Sequence, residues 1–526
     1  MTRRTTAGLV AMIGTALAVS TLGGTTTSTA QASPSVPAAA TPAYVAPAIR
    51  WGSCGDAYLN QQHAKCGTLV VPLDHADPGG PTIRLAVSRI RHTSSTSRGV
   101  MFTNPGGPGG SGLWMATLGG RVPKGVGGSF DWYGMDPRGV GSSRPALSCD
   151  RGYFGWDRPA YVPSSAKITR HWRTRTERYA ADCSDAGASR LLPHLRTTDT
   201  VADFETLRET IGADKVGFYG GSYGTYIAQV YATQHPTSLN RVVMDGVIDP
   251  SRVFYRANLD QDRGFQKNLT AFFAWVGRHS SQFHLGTSKD AVAQAYRKVQ
   301  RRVADHPADG KVGPSELDDA VLPAGYAVQN WPYVAQQLAA LVNDNRAGGI
   351  ESLYRSGSPA GQDNGYAVYL ATECTDARWP SKWSTWQADN DRVHRTAPLF
   401  TWENAWFNAP CRTWPAAARP AVDVNGADLG FPVLLVSETY DAATPISGAR
   451  EVRRRFPTSV LIEGVGGRTH AAGLSGVPCV DNAIARYLKN RTVPTRRSGD
   501  RSDLECAAVP VPSARSSARA QLPWQR

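Results

Sequence analysis

The chain has 526 residues, 41% of them hydrophobic, and a formal net charge of +14. The length exceeds that of one simple domain and the hydrophobic content supports a large buried core, which excludes an intrinsically disordered chain. Part of the positive charge lies in an Arg-rich segment around Arg496, Arg497 and Arg501. Because no nucleic-acid-binding motif accompanies this charge, we interpret it as a contribution to solubility and expect no nucleic-acid partner.

The N-terminus has the pattern of a signal peptide over residues 1–32. Arg3 and Arg4 precede an apolar run, and Ala30-Gln31-Ala32 is a small-x-small cleavage site. The apolar run is short and contains Gly and Thr, so we expect no membrane span. Residues 33–48 are rich in Pro, Ala and Ser, which predicts a flexible leader or propeptide. We therefore expect a secreted, extracellular protein.

The cysteines support export. An even number of cysteines in an exported chain favours disulfide bonds. The cysteines fall into local pairs along the sequence, so we expect sequential pairing. The predicted pairs are Cys54–Cys66, Cys149–Cys183, Cys374–Cys411 and Cys479–Cys506. There is no C-x-x-C motif and no Cys/His cluster, so we expect no metal site.

Short apolar runs alternate with helical patterns in two parts of the chain, which is typical of a mainly parallel sheet with helices on both faces. The predicted strands lie at residues 69–71, 83–90, 100–102, 130–135, 215–219, 242–244 and 433–436, and helical patterns include 200–211 and 226–233. We expect this sheet domain to comprise residues 49–250 and 416–510, followed by a flexible tail over residues 511–526.

Strand signals stop between the two parts of the sheet domain. Residues 251–415 look mostly helical, with Gly and Pro breaks, and hold eight of the 14 tryptophans. We expect an inserted, mainly helical cap domain here. Its aromatic residues form either an ordinary core or the lining of a peptide-binding cleft, because Trp and Tyr combine apolar surface with a polar group.

The strongest chemical motif is G-x-S-x-G at Gly220-Gly221-Ser222-Tyr223-Gly224, with a predicted strand before it and a helix after it. A serine in this tight turn projects its hydroxyl into a cleft, and the helix N-terminus favours developing negative charge. We therefore predict that Ser222 is a nucleophile. A Gly/Ser-rich loop can match this pattern by chance, so the prediction needs a base and an acid elsewhere in the chain.

Both partners occur downstream in the order Ser, Asp/Glu, His that this type of site requires. Asp441 follows the predicted strand at residues 433–436, and His470 stands in a Gly-rich loop after a further predicted strand at residues 460–463. We predict that His470 is the base and that Asp441 orients it. Glu438 is a competing acid, but it lies inside the strand end and ranks below Asp441.

A glycine-rich loop over residues 104–112 follows another predicted strand. Such a loop lets backbone N–H groups face a developing oxyanion, and we propose the amides of Gly107 and Tyr223 as the donors. The loop lacks the G-K-[ST] ending of a phosphate-binding loop. These residues together predict an α/β-hydrolase fold and acyl transfer to water without a metal or organic cofactor.

Several motifs resemble a known family. Residues 105–109 (Pro-Gly-Gly-Pro-Gly), 136–142 (Asp-Pro-Arg-Gly-Val-Gly-Ser) and 220–224 are similar to those of the proline-iminopeptidase group of α/β-hydrolase peptidases. The likeness to secreted bacterial tripeptidyl aminopeptidases extends through cap segments 255–262, 364–369, 373–380, 402–406 and 410–415 and covers roughly residues 50 to 506. This resemblance implies removal of tripeptides from the free N-termini of peptides or proteins by the same serine chemistry.

An enzyme that counts residues from a free N-terminus needs a cap carboxylate for the ammonium group, ~10 Å from the nucleophile. Glu373 is our candidate and Asp376 the second choice; an ion pair with Arg378, or a plain loop carboxylate, is the structural alternative for Glu373. A carboxylesterase, a lipase or a proline iminopeptidase would use the same catalytic residues. A non-enzymatic binding module is disfavoured because serine, acid and histidine are all present. We expect a monomer.

Overall fold

The structure is a computed structural model that describes residues 44–516. Within this range, nine strands form one sheet in the order β1-β2-β4-β3-β5-β6-β7-β8-β9. The strands are β1 (Lys65–Pro72), β2 (Thr82–Ile90), β3 (Val100–Asn104), β4 (Asp131–Met135), β5 (Val216–Gly221), β6 (Leu239–Asp245), β7 (Val433–Glu438), β8 (Val460–Val465) and β9 (Leu504–Ala507). β2 is antiparallel to both β1 and β4, and all other neighbours are parallel.

Helices connect the strands on both sides of the sheet. The α-helices are α1 (Ala57–Gln61), α2 (Ala166–Asp185), α3 (Thr197–Thr210), α4 (Tyr223–Gln234), α5 (Tyr255–Arg278), α6 (Ser280–Phe283), α7 (Lys289–Asp305), α8 (Pro314–Val321), α9 (Pro323–Tyr326), α10 (Trp331–Asp344), α11 (Gly348–Gly357), α12 (Asn364–Asp376), α13 (Trp383–His394), α14 (Thr401–Asn408), α15 (Ile446–Arg455) and α16 (Pro478–Asn490). Short 3-10 helices lie at Leu113–Arg121, Pro123–Ser129, Ser189–His194, Pro236–Ser238, Val328–Asn330 and Ala409–Arg412.

The central strands are buried on both faces. Every residue of β5 and β7 is buried, which explains why their sequences are continuous apolar or small-residue runs rather than alternating ones. Neighbouring residues face opposite layers. Phe218 packs against Phe204 of α3 and Tyr231 of α4, whereas Tyr219 belongs to a separate apolar cluster that includes residues of α5 and α16. The predicted α/β-hydrolase fold, a mostly parallel sheet covered on both faces, is therefore confirmed.

The predicted strands are found with shifted ends, and β9 is additional. No strand is predicted from the sequence at β9, because its four residues lack an apolar run. It pairs in parallel with β8, and Cys506 within it is bonded to Cys479. Pairing and a covalent bond thus place this strand at the sheet edge without a local sequence signal.

Helices α5 to α14 form the insertion between β6 and β7, and in the described residues this segment contains none of the named strands. These helices lie within residues 251–415, where the cap is predicted. The segment and the sheet belong to one compact unit. The boundaries at residues 250 and 415 therefore remain a prediction.

The four disulfides join the cysteines in the predicted sequential pairs. All eight cysteines lie in the described range, and none of them is free. The predicted signal peptide lies outside the described residues, as does most of the predicted leader. The predicted tail is described only to residue 516. In this described part, Ala514 O accepts a hydrogen bond from Gln282 Nε2 at 2.6 Å. Among the described residues, none of the helices has both the length and the hydropathy needed to span a bilayer.

Candidate active site

The predicted nucleophile stands in a sharp turn between β5 and α4. Ser222 has φ 52° and ψ −126°, a backbone conformation that non-glycine residues rarely adopt, and it is partly exposed. A Cβ atom on Gly220 would lie 2.2 Å from Gly224 O, and one on Gly224 would lie 2.4 Å from Asn104 O. Close backbone contact on both sides of the serine therefore requires the two glycines of the motif.

His470 and Asp441 are brought together by the loops that follow β8 and β7. His470 Nδ1 lies 2.9 Å from Asp441 Oδ2 and 3.0 Å from Oδ1, and both side chains are fully buried. The Asp441 carboxylate also accepts the amides of Ala443 and Thr444, at 3.0 and 2.9 Å, and the Thr444 hydroxyl. These donors fix the direction of the carboxylate.

The other ring nitrogen of His470 is available. Within residues 44–516 its Nε2 atom has no hydrogen-bond partner. Burial lowers the pKa of His470, but the Asp441 carboxylate raises it, and the net pKa lies above the ordinary value of a histidine. The arrangement therefore presents a base whose proton-accepting nitrogen faces away from the acid, as nucleophile activation requires.

Glu438, the competing acid, does not contact the imidazole. Its carboxylate accepts the amides of Thr469, at 2.5 Å, and Val509, at 2.7 Å. Burial raises its pKa to about 7. Glu438 thus binds the backbone beside His470, whereas Asp441 binds the ring itself, and the geometry favours Asp441 as the orienting acid.

The glycine-rich loop after β3 packs against the nucleophile turn. A Cβ atom on Gly106 would lie 2.7 Å from Tyr223 N and 2.9 Å from Ser222 Cβ, so only glycine allows this approach. Gly106 N donates to Asn104 Oδ1 at 2.8 Å. For the amides of Gly107 and Tyr223, by contrast, no acceptor is found in the described part of the chain. Two unused amides beside the serine suit an oxyanion.

A residue absent from our predicted site supports this loop. Asp136 follows β4 and accepts the Ser111 hydroxyl at 2.6 Å and the Gly112 amide at 2.9 Å. It also accepts the Ser142 amide at 2.8 Å. Asp136 belongs to the Asp-Pro-Arg-Gly segment that carries the family resemblance, so a signal was present in the sequence, but the segment itself does not specify what Asp136 binds.

Glu373 lies on α12 of the cap and is 5% exposed. Its Oε2 atom has no hydrogen-bond partner within residues 44–516, and no ion pair with Arg378 is formed there. The Tyr369 hydroxyl, one turn earlier, donates to Asn408 Oδ1 at 2.9 Å. Burial raises the pKa of Glu373 well above its ordinary value, and the proximity of Tyr369 lowers this pKa only in part. An uncompensated buried carboxyl is costly for the fold, and this makes it a candidate for binding a cationic group.

Asp376, three residues further on, is used within the fold. Its carboxylate accepts the amide of Thr197 at 2.9 Å and also the Thr197 hydroxyl. The Thr197 hydroxyl lies 2.5 Å from the Tyr223 phenol oxygen. Burial raises the pKa of Asp376 to about 7. Because both carboxylate oxygens are occupied, the structure favours Glu373 over Asp376 as an amine ligand.

The cap contacts the catalytic loops directly, through residues that no sequence motif indicates. Tyr326 O accepts the His470 amide at 2.8 Å, and the two rings lie edge to face with centroids 5.9 Å apart. The Phe265 ring packs 4.8 Å from that of Tyr326. Asn268 Nδ2 donates to Tyr440 O at 3.0 Å, next to Asp441. The cap helices therefore form one wall of the site and bear on both catalytic loops.

No group of three or more His, Cys, Asp or Glu side chains that could hold a metal ion occurs in the described part of the chain.

Most of the chain is similar to known proteins. A family profile described as the alpha/beta hydrolase fold matches residues 99–468. The chain is 36% identical over 482 residues to a tripeptidyl aminopeptidase of Streptomyces lividans, covering 88% of this chain and 87% of that one. It is 29% identical over 454 residues to the serine protease Hip1 of Mycobacterium tuberculosis, covering 82% and 86%. It is also 29% identical over 470 residues to a carboxylesterase B of the same species, covering 86% and 89%.

Proposed function

Because the chain belongs to the alpha/beta hydrolase family and is a serine hydrolase related to tripeptidyl aminopeptidases, we propose that it releases tripeptides from the free N-termini of peptides. Ser222, Asp441 and His470 form the proposed triad. The observation that carries this assignment is the hydrogen bond from His470 to Asp441, which leaves Nε2 unpartnered while Ser222 occupies the strained turn.

The proposed reaction uses only groups of this chain. His470 Nε2 takes the hydroxyl proton of Ser222, and the serine oxygen adds to the scissile carbonyl. The amides of Gly107 and Tyr223 stabilise the oxyanion that forms. His470 then gives its proton to the departing amine, which leaves an acyl-enzyme. A water molecule, deprotonated by His470, adds to the ester, and collapse of the second oxyanion releases the tripeptide and restores Ser222.

Glu373 supports an exopeptidase. A substrate ammonium would supply the partner that Glu373 Oε2 lacks and would convert the carboxyl to its charged form. The carboxyl is held rigidly, because it lies on a buried helix and because its neighbour Cys374 is bonded to Cys411. Rigid placement matters, since a mobile carboxylate would lose more conformational freedom on binding.

The same triad would serve a carboxylesterase or a proline iminopeptidase, and one relative is named carboxylesterase B. A smooth apolar acyl pocket would favour an ester. The cap interior holds buried carboxyl groups instead, including Asp262 and Glu403 besides Glu373, and burial raises the pKa of each well above its ordinary value. This surplus of buried acids favours a substrate that carries an amine.

The substrate class is tested with free and N-acetylated chromogenic tripeptides, dipeptides, a proline derivative and short acyl esters. We expect the highest kcat/KM for free tripeptides. Glu373→Gln should raise KM for free tripeptides and reduce the difference in kcat/KM between free and N-acetylated tripeptides. Hydrolysis of a small ester should stay nearly unchanged. Equal losses on ester and peptide would assign Glu373 to the fold.

Asp376→Asn is the matched control, since it changes a buried carboxyl on the same helix. We expect it to lower thermal stability, because Thr197 loses an acceptor, without a selective rise in KM for free tripeptides. The opposite ranking of the two variants would move the amine site to Asp376.

We infer that the protein is secreted. Four disulfides, which persist in oxidising compartments, and the N-terminal signal pattern support this inference. N-terminal sequencing of the exported protein should give a start near Ser33, or a later one if the leader is removed.

The monomeric state also remains a prediction, which gel filtration with light scattering tests.

A further inference from the structure

One residue joins the nucleophile turn to the loop that carries His470. Asp245 is the last residue of β6, and its main-chain oxygen accepts the Ser222 amide at 2.9 Å. Its carboxylate accepts the Gly473 amide, which lies 3.1 and 3.0 Å from the two oxygens. Ser222 and Gly473 are 251 positions apart along the chain, so Asp245 connects two segments that the sequence keeps distant.

The Asp245 carboxylate is buried and closely enclosed. The residue is 3% exposed, and the Tyr219 hydroxyl donates to Oδ2 at 2.9 Å. Within residues 44–516 it forms no salt bridge with a Lys or Arg side chain. A Cβ atom on Gly473 would lie 2.6 Å from Oδ2 and from the Tyr219 hydroxyl. The packing therefore holds a carboxyl group without a neighbouring cation.

The residue after Asp245 touches the histidine ring. A Cβ atom on Gly246, which has φ +72°, would lie 3.0 Å from His470 Cε1 and 3.1 Å from the Thr444 hydroxyl. The backbone that follows β6 thus passes close to the imidazole, and only a glycine leaves the ring its space. A charge on Asp245 acts on His470 through this short, dry path.

We propose that Asp245 is a positioning residue of the reaction, which ties the Ser222 turn to the His470 loop and supplies a second negative charge that favours the protonated imidazole. This proposal rests on the proposed triad. Asp441 orients the ring by a direct hydrogen bond, whereas Asp245 acts through the Gly473 amide and through its charge.

The charge state of Asp245 follows from its surroundings. Burial raises its pKa to about 6, against the lowering effect of the Gly473 amide and the Tyr219 hydroxyl. The titratable groups near Asp245 are Tyr219, His470 and Asp441. His470 is also faced by Tyr326 from the cap. Asp481 and Arg121 lie near Tyr219. Above pH 6 Asp245 is therefore ionised and raises the pKa of His470 together with Asp441.

The test is the pH profile of kcat/KM for a small acyl ester, which does not depend on the amine site. In Asp245→Asn the charge is lost, and the acidic limb, which reports His470 in the free enzyme, should move to lower pH by roughly 1 unit. Turnover at the plateau should fall several-fold, since the imidazolium loses support. A variant with the wild-type acidic limb would overturn the proposal, even if its stability were reduced.

Asp481→Asn is the matched control. Asp481 Oδ2 accepts the Gly476 amide at 2.8 Å, three residues after Gly473, but Asp481 is not among the groups that set the pKa of His470. We expect an unchanged acidic limb in this variant. A shift equal to that of Asp245→Asn would mean that any disturbance of the loop moves the limb, and would refute the role of the Asp245 charge.

Tyr219→Phe is a second test, which can be used if Asp245→Asn does not fold. It removes the hydroxyl that donates to the Asp245 carboxylate. Loss of the hydroxyl raises the pKa of Asp245, so less of it is ionised near the acidic limb, and the limb should move in the same direction by a smaller amount. A shift to higher pH would contradict the proposal. Labelling of the wild-type protein by a fluorophosphonate separates a failure of this proposal from a failure of the proposed triad. If Ser222 is labelled but the acidic limb of Asp245→Asn is unmoved, only the role of Asp245 is overturned. If the wild-type Ser222 is not labelled, the triad itself is overturned.

Discussion

Arg138 and Asp203 form a bidentate ion pair in the interior: Nε lies 2.8 Å from Oδ2 and Nη2 lies 2.7 Å from Oδ1. The remaining donor, Nη1, binds the carbonyl oxygens of Leu73 and His194 at 2.9 and 2.8 Å. Both side chains are buried. Burial raises the pKa of Asp203, but Arg138 and His75 together lower it by more, so the net pKa lies below its ordinary value. The pair anchors the segment that follows Asp136 and hence the glycine-rich loop that Asp136 binds.

Arg138→Met should lower the free energy of unfolding by about 3–5 kcal/mol, because it leaves the buried Asp203 carboxylate with His75 as its only ion-pair partner among the described residues. Urea or thermal unfolding measures this loss. Arg454→Met serves as the control, since Arg454 pairs with Glu451 at the surface and is half exposed; its effect should stay within about 1 kcal/mol. Similar losses in the two variants would contradict the structural role of the buried pair.

Ser222→Ala should abolish turnover while the melting temperature stays close to that of the wild type. Loss of a triad serine lowers kcat about a millionfold in a related type of site. A fluorophosphonate should label the wild-type protein at Ser222 and leave the variant unlabelled, as peptide mapping would show. Labelling that survives the alanine substitution would remove Ser222 from the nucleophile's role.

Asp441→Asn should reduce kcat by about 10⁴-fold, because the amide favours the wrong tautomer of His470 and gives no support to its cation. Glu438→Gln should be mild, since the glutamine retains one acceptor for the Thr469 or Val509 amide. Steady-state kinetics on one peptide substrate compares the two. If Glu438→Gln proved the more damaging variant, the choice of the orienting acid would be wrong.

Replacing Cys374 and Cys411 by serine should lower stability by roughly 2–4 kcal/mol, because the bond closes a long loop in the unfolded chain. It should also raise KM for free tripeptides, since α12 carries Glu373 next to the bond. The matched control replaces Cys479 and Cys506, which lie far along the chain from the cap. An equal rise in KM in both variants would argue against a link between the first bond and the amine site.

The KM for free tripeptides should depend on pH through Glu373. Burial raises its pKa, so the unliganded carboxyl holds a proton that it releases when it binds an ammonium group. KM should therefore fall as pH rises, until the substrate amine itself loses its proton near about pH 7.7–8.0. N-acetylated substrates and the Glu373→Gln variant should lack this dependence. A pH-independent KM for free tripeptides in the wild type would refute Glu373 as the ligand.

Local sequence patterns determined much of the proposed site. The nucleophile turn needs glycines within two residues of Ser222, because the backbone packs there at contact distance, and this requirement is visible as a motif. The order of serine, acid and histidine follows from the order of β5, β7 and β8, whose ends meet at one edge of a parallel sheet. The disulfides join sequence neighbours, so their pairing was also accessible.

Tertiary structure decided between neighbouring acids. Asp441 and Glu438 are three residues apart, as are Glu373 and Asp376, and composition does not separate the members of either pair. The members of each pair differ in the hydrogen-bond partners that other segments supply. His470 binds Asp441, and Thr197 binds Asp376 but not Glu373. A side chain's partner is set by packing between segments, which the residue type alone does not encode.

Residues without a motif were found only in the folded chain. Asp245, Tyr326 and Asn268 contact the loops that carry Asp441 and His470 across sequence separations of 144 to 228 residues. Each is an ordinary residue of a strand end or helix in the sequence. Sheet order and cap packing bring them to the site. Each of the hydrogen bonds named here involves a backbone amide or carbonyl of the loop, and every residue carries these groups, so no sequence pattern distinguishes them.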